Sequence, residues 1–69
     1  MTDEEYYRIY TDCWRLFRKY MHPVSADEYW QRFLDDVREI HDRYQNEFCK
    51  DLLLNIMDEV DRIYRRKKK

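Results

Sequence analysis

The chain has 69 residues and a net charge of −1, with 43% hydrophobic, 42% charged and 17% aromatic side chains and no glycine. This composition suits one small domain of amphipathic helices. It excludes a disordered chain, a glycine-rich phosphate-binding loop and a membrane span of about 20 apolar residues. The acidic N-terminal segment, residues 1–5, lacks the basic and apolar regions of a signal peptide, so we expect a cytoplasmic protein.

The first predicted helix covers about residues 3–21. Thr2 and Glu5 form a capping-box pair at its start, and apolar side chains then recur at helical spacing. Pro23 disfavours α geometry in the residue before it, so we expect the helix to end near residues 21–22. Its apolar stripe consists of Tyr6, Ile9, Tyr10, Cys13, Phe17 and Tyr20, widened by Trp14, Leu16 and Met21.

The second predicted helix covers about residues 26–44. Ser25 and Glu28 have the spacing of another capping box, which is the strongest local signal in the chain. The apolar stripe that follows consists of Ala26, Tyr29, Trp30, Phe33, Leu34, Val37, Ile40, His41 and Tyr44. The opposite face is entirely polar and consists of Gln31, Arg32, Asp35, Arg38, Glu39 and Asp42.

The third predicted helix covers about residues 47–66. One continuous rod from Val37 to Val60 would need repeated steps of four residues, which would turn its apolar stripe by about 200° around the axis. We therefore predict a break near Gln45 and Asn46, with Asn46 as the next N-cap. The stripe of this helix consists of Cys49, Leu52, Leu53, Ile56, Val60, Ile63 and Tyr64, with Phe48 and Met57 at its edges.

Leu54 is the one large aliphatic residue that lies clearly off its stripe, at about 160° from Ile56. Single exposed leucines are common on protein surfaces, so solvent exposure without a role is one interpretation. The alternative is a contact with a partner or with a second copy of the chain.

These three stripes predict an all-α fold, a compact three-helix bundle with short loops. Residues 1–66 form the single domain, and residues 67–69 form a basic C-terminal tail. Three apolar stripes of this width can bury one another within a monomer. A helical hairpin that dimerises into a larger bundle is the alternative.

The residues with catalytic or metal-binding chemistry are few. Cys13 and Cys49 lie on apolar faces and are expected to be free buried thiols, with a disulfide between the first and third helices as the alternative. His22 and His41 have no metal-binding spacing, and no nucleophile stands beside a base. We therefore expect no enzyme, no cofactor and no metal site.

Charge is segregated along the chain. Residues 26–61 hold 4 basic and 11 acidic side chains, a balance of −7. Carboxylates on rigid helices can meet a basic groove of a partner protein, including one that normally holds nucleic acid. The alternative is an ordinary solvated surface. Tyr7 could share an exposed aromatic patch with Trp30. The predicted partner-binding residues are Asp35, Glu39, Asp42, Trp30 and Leu54.

The basic C-terminus supports a second hypothesis. The five cations at the end of the chain could bind phosphates of nucleic acid with salt-sensitive, sequence-independent affinity. They could equally complement the helix dipole and keep the protein in solution. The acidic body repels phosphate, so direct nucleic-acid binding is the alternative function, as is a structural homodimer. The five cations are Arg65 and Arg66, at the end of the third helix, and Lys67, Lys68 and Lys69 of the tail.

The stretch His22-Pro23-Val24-Ser25-Ala26-Asp27-Glu28-Tyr29-Trp30, followed by Phe48-Cys49-Lys50-Asp51-Leu52-Leu53-Leu54, resembles small helical proteins carried by bacterial phages and integrative elements. This resemblance implies a mobile-element accessory protein. Such elements carry short acidic proteins that inhibit host nucleases, including anti-CRISPR proteins. The resemblance assigns no functional role to any single residue of this chain.

Overall fold

Three α-helices account for most of residues 1–67, the part of the chain that the computed structural model describes. They are α1 (Asp3–Tyr20), α2 (Asp27–Tyr44) and α3 (Glu47–Lys67). Each helix contacts the other two, so the predicted three-helix bundle is confirmed. The observed helix ends agree with the predicted ones to within one residue.

The start of α1 is capped as predicted, but the start of α2 is not. The Thr2 hydroxyl accepts a hydrogen bond of 3.2 Å from the backbone N–H of Glu5. Before α2, Ala26 is the N-cap and its extended backbone is followed by Asp27 as the first helical residue. The predicted Ser25 cap is therefore wrong, because the serine stands one residue too early to reach the first free N–H groups.

The break between α2 and α3 lies at Gln45 and Asn46, where the rotation of the apolar stripe around the helix axis predicts it. Gln45 ends α2 in the left-handed conformation (φ 45°), and its N–H donates to the His41 carbonyl at 2.8 Å. Asn46 follows, and its Oδ1 accepts a hydrogen bond of 2.8 Å from the N–H of Cys49. The predicted Asn46 cap is confirmed. Two residues therefore reverse the chain without glycine or proline.

The two predicted caps give a matched test of local stability. We expect Asn46→Ala to lower the free energy of unfolding by about 1 kcal/mol, because it leaves the Cys49 N–H without its acceptor. Ser25→Ala should change it by less than about 0.5 kcal/mol. Urea unfolding followed by circular dichroism measures both. Equal losses for the two variants would contradict this assignment of the caps.

The core lies along the bundle axis and draws on all three helices. Every buried side-chain nitrogen or oxygen in residues 1–67 has a hydrogen-bond partner. The buried residues of the helices are Ile9, Cys13, Leu16 and Tyr20 of α1, Phe33 and Ile40 of α2, and Cys49, Leu53 and Val60 of α3.

Part of the predicted stripe lies outside this core on α1 and at α2. Tyr6, Tyr10 and Trp14 of α1 are exposed, as are Ala26 and Leu34 of the second stripe. The reason is rotational: Tyr10 and Trp14 are about 60° and 100° around α1 from the buried Cys13, toward and beyond the edge that faces α3. The predicted α1 stripe was therefore too wide, and its excess forms an exposed aromatic row.

The basic tail is predicted at residues 67–69. Lys67, the last described residue, is helical. Lys68 and Lys69 lie outside the described residues. No helix within residues 1–67 is both long enough and apolar enough to cross a membrane.

Candidate functional site

The predicted acidic residues Asp35, Glu39 and Asp42 share the outward face of α2. Their spacing of four and three residues places them within about 60° of one another around the helix. All three are exposed, and the Asp42 side chain is 80% accessible. The carboxylate of Glu39 lies 3.4 Å from Arg43, whereas Asp42 meets only His41, at 3.9 Å. We call these three residues the acidic ridge.

Within residues 1–67, Asp35 makes no ion pair. Asp35 and Asp42 therefore carry charge that no Lys or Arg side chain of residues 1–67 pairs with, whereas Glu39 is paired with Arg43. Charges held on a rigid helix in this state can contribute to association with a partner of opposite sign.

Asp36, the neighbour of Asp35, turns inward toward α1. Its Oδ2 accepts hydrogen bonds from the Tyr20 hydroxyl at 2.5 Å and from Lys19 Nζ at 2.9 Å. The Tyr29 hydroxyl donates to the Tyr20 carbonyl next to it. Partial burial acts to raise the pKa of Asp36, but the bonds from Tyr20 and Lys19 outweigh it and hold that pKa below its usual value. The Asp36 carboxylate of α2 therefore holds α1 and α2 together through these hydrogen bonds.

Asp12 of α1 mirrors this arrangement toward α2. Its Oδ2 accepts a hydrogen bond from the Tyr44 hydroxyl, and Arg43 Nη1 donates to the same oxygen at 3.0 Å. Burial raises the pKa of Tyr44, and the bond to Asp12 raises it further. Each helix therefore supplies one aspartate and one basic–tyrosine pair to the other.

The sequence signal for these two clusters is a repeated spacing of aspartate and basic–tyrosine pairs, which the periodicity of apolar residues does not reveal. Asp12 precedes Lys19-Tyr20 with six residues between, and Asp36 precedes Arg43-Tyr44 with the same spacing. In an antiparallel pair of helices, such a repeat places each aspartate beside the other helix's basic–tyrosine pair. Two carboxylates that composition assigns to the surface are consequently structural.

Leu54 is exposed, as predicted, with 48% of its surface accessible. It lies at a shallow groove of about 220 Å³ between α2 and α3, whose apolar wall includes Val37, Leu53 and Met57. Two cations without an ion pair in the described chain, Arg38 and Lys50, also line this groove.

Carboxylates lie beyond the groove on both helices. On α3, Asp51 and Asp58 are exposed and flank Leu54 at helical spacing, while Asp35 and Asp42 lie on the α2 side. The face formed by α2 and α3 is therefore acidic around a small apolar centre.

Trp30 lies at one end of the bundle and is half-buried. Its ring meets Tyr64 edge-on, with centroids 5.3 Å apart, near the end of α3. Tyr6 instead packs on Phe48, at 4.9 Å, near the start of α3. Tyr7 is adjacent to Tyr6 and therefore lies toward the start of α3, whereas Trp30 lies toward its end. Because α3 is about 30 Å long, Tyr7 and Trp30 form no common patch.

The C-terminal cations are partly neutralised by the acidic body. Arg65 pairs with Asp61 at 2.8 Å, and Arg66 lies 3.6 Å from Glu59. These pairs are exposed, so each contributes less than about 1 kcal/mol to stability. They nevertheless place carboxylates beside the guanidinium groups that would approach a phosphate.

Cys13 and Cys49 are both buried free thiols. Burial, together with the neighbouring Cys49, raises the pKa of Cys13 to about 12. Burial also raises the pKa of Cys49, against the hydrogen bond that it receives from Cys13. Thiols in this state are poor nucleophiles, because the thiolate is the reactive form.

Neither histidine belongs to a cluster of metal ligands. His22 is exposed in the α1–α2 loop, and His41 lies half-buried at the α2–α3 groove. Across residues 1–67, no group of three or more histidine, cysteine, aspartate or glutamate side chains is arranged to hold a metal ion.

Comparison of the chain with protein-family models, with curated proteins and with solved structures finds no match. The fold and the surface define a small all-α three-helix domain.

Proposed function

We propose that this protein is a non-enzymatic interaction module whose acidic face on α2 and α3 binds a basic surface of a partner protein. The observation that carries the proposal is the acidic ridge, three exposed carboxylates on one rigid helix face. Asp12 and Asp36 are engaged in hydrogen bonds between α1 and α2, whereas the ridge carboxylates are exposed and available to a partner.

The groove at Leu54 supplies the apolar part of the proposed contact. Interfaces gain most of their energy from a small, desolvated apolar centre, and charges around it set approach and orientation. Leu54 with Met57 would receive an apolar side chain of the partner. Arg38 and Lys50 at the groove would disfavour a uniformly basic segment there and so fix its register. Trp30 remains a predicted contact at the edge of this face.

The resemblance to small proteins of phages and integrative elements extends the proposal to a biological role. A mobile-element accessory protein that covers a basic nucleic-acid-binding groove would act as an inhibitor, in the manner of an anti-CRISPR protein. The negative charge of the α2–α3 face supports binding to such a basic groove. Mass spectrometry of the captured proteins would identify the partner.

The experiment is a pull-down from bacterial lysate after nuclease treatment, with bound proteins identified by mass spectrometry. We expect the wild type to retain a protein that has a basic surface groove. Neutralising the ridge with Asp35→Asn and Asp42→Asn should reduce its recovery at least tenfold. A variant carrying Glu4→Gln and Glu5→Gln on α1 has the same change in net charge and should retain it.

Three results would overturn the proposal: no nuclease-resistant partner, equal loss with both variants, or full retention by the ridge variant. Circular dichroism of each variant establishes that the bundle is folded. Recovery that depends entirely on nucleic acid would instead favour the alternative function, binding through the basic tail. A variant lacking residues 65–69 would then lose that recovery.

A further inference from the structure

The exposed row on α1 is a second surface, separate from the acidic face. Tyr7, Tyr10 and Trp14 are 67%, 54% and 56% accessible, although residues of these types bury readily. The ring centroids of Trp14 and Phe17, within the same helix, are 6.3 Å apart, and those of Tyr10 and Phe48 of α3 are 5.4 Å apart. The outer parts of these rings face away from the core and toward solvent.

Charge on this side of α1 is confined to its two ends. Asp3, Tyr7, Trp14 and Arg18 fall within about 60° of one another around the helix. The charged residues between the two ends, such as Arg8 and Arg15, lie further around the helix. Neither Asp3 nor Arg18 forms an ion pair within residues 1–67.

The charges and aromatic rings of this surface complement those of a second copy that packs against it in the antiparallel direction. If two copies of α1 pack antiparallel about a two-fold axis between Tyr10 and Thr11, Asp3 of each copy lies opposite Arg18 of the other. The same register places Tyr7 of each copy opposite Trp14. A two-fold interface requires this reciprocity, in which one residue contacts a second and the second contacts the first.

The centre of the row permits a close approach of two helices. Thr11 is small, and its hydroxyl already donates to the Tyr7 carbonyl at 2.7 Å. It would therefore bring no unsatisfied donor into a contact. A fully buried aromatic ring removes about 150–250 Å² from water, and these three rings are 54–67% accessible, so the row alone supplies about half of the roughly 800 Å² per partner of a standard interface.

We infer that this row is a homodimer interface, with the two α1 helices antiparallel and Tyr7 packed against Trp14 across the axis. The occupant of the surface is a second copy of this chain. An unrelated apolar partner would have no reason to match the reversed order of Asp3 and Arg18. The acidic face on α2 and α3 remains free in such a dimer, which would present it twice.

The experiment is sedimentation equilibrium of the full chain across a range of concentrations. We expect a wild-type dimer, and Trp14→Lys should raise its dissociation constant at least tenfold because two lysines enter the interface. Leu34→Lys is the matched control: it adds the same charge at an exposed apolar residue of α2, outside the row, and should leave the dimer unchanged. A wild type that stays monomeric throughout would overturn the inference, as would a dimer insensitive to Trp14→Lys.

Charge exchange tests the antiparallel register itself. Asp3→Arg or Arg18→Asp alone should weaken the dimer, because each places like charges opposite one another. The double variant should restore it toward the wild-type affinity. Failure of the double variant to recover, while its circular dichroism matches the wild type, would contradict the register. These measurements need no partner, so they can fail independently of the proposed acidic-face function.

Discussion

Leu53→Ala should lower the free energy of unfolding by about 3 kcal/mol, a large fraction of the total for a domain of this size. Leu53 is 2% exposed and belongs to the core shared by all three helices. Its truncation removes buried apolar surface and leaves a cavity that neighbouring helices can close only in part. Urea unfolding of the two proteins measures the difference.

The adjacent residue is the control for this prediction. Leu54 has the same chemistry but 48% of its surface is accessible, so Leu54→Ala should change stability by less than about 0.5 kcal/mol. Losses of similar size for the two variants would mean that the orientation of α3 assigned here is wrong.

Asp36→Ala should destabilise the bundle by about 1–3 kcal/mol, because the Tyr20 hydroxyl would lose its charged acceptor in a partly buried position. The neighbouring variant Asp35→Ala should have little effect, since Asp35 is exposed and makes no ion pair within residues 1–67. Thermal and urea unfolding of both variants at neutral pH provide the comparison.

The pH dependence of this difference tests its cause. The pKa of Asp36 is lower in the folded protein, so its ionised form stabilises the fold at pH values above its unfolded pKa, near 4. That contribution is lost as pH falls through the lowered folded pKa. The difference in stability between the wild type and Asp36→Ala should therefore narrow in strong acid, while the protonated carboxyl can still accept the Tyr20 hydrogen bond. A difference that stays constant from neutral pH into this range would contradict the fastening role of the carboxylate.

Most of the backbone architecture follows from the sequence because each helix carries its own periodic and capping signals. The rotation of an uninterrupted stripe predicts the turn at Gln45 and Asn46, and the structure confirms it. The Ser25 cap failed because capping-box spacing fixes a helix start only when the preceding loop brings the serine to the N-cap. Here Pro23 is buried and Ala26 takes that position.

Surface roles were harder to predict because they depend on how the helices are rotated against one another. Asp35 and Asp36 are adjacent and have the same side chain, yet only Asp36 accepts a hydrogen bond from Tyr20 of the adjacent helix. Trp14 fits the periodicity of the α1 stripe but lies beyond the region that α3 covers. The repeated aspartate and basic–tyrosine spacing could have identified the two clusters, once α1 and α2 were taken as antiparallel.

Binding of a basic partner by the acidic ridge is tested by the affinity of that purified partner for a ridge of reversed charge. Replacing Asp35, Glu39 and Asp42 by lysine should raise the dissociation constant by at least a hundredfold at low salt. It should also abolish the weakening of binding by salt that we expect for the wild type. An unchanged dissociation constant for this folded variant would contradict the assignment of the ridge as the binding surface.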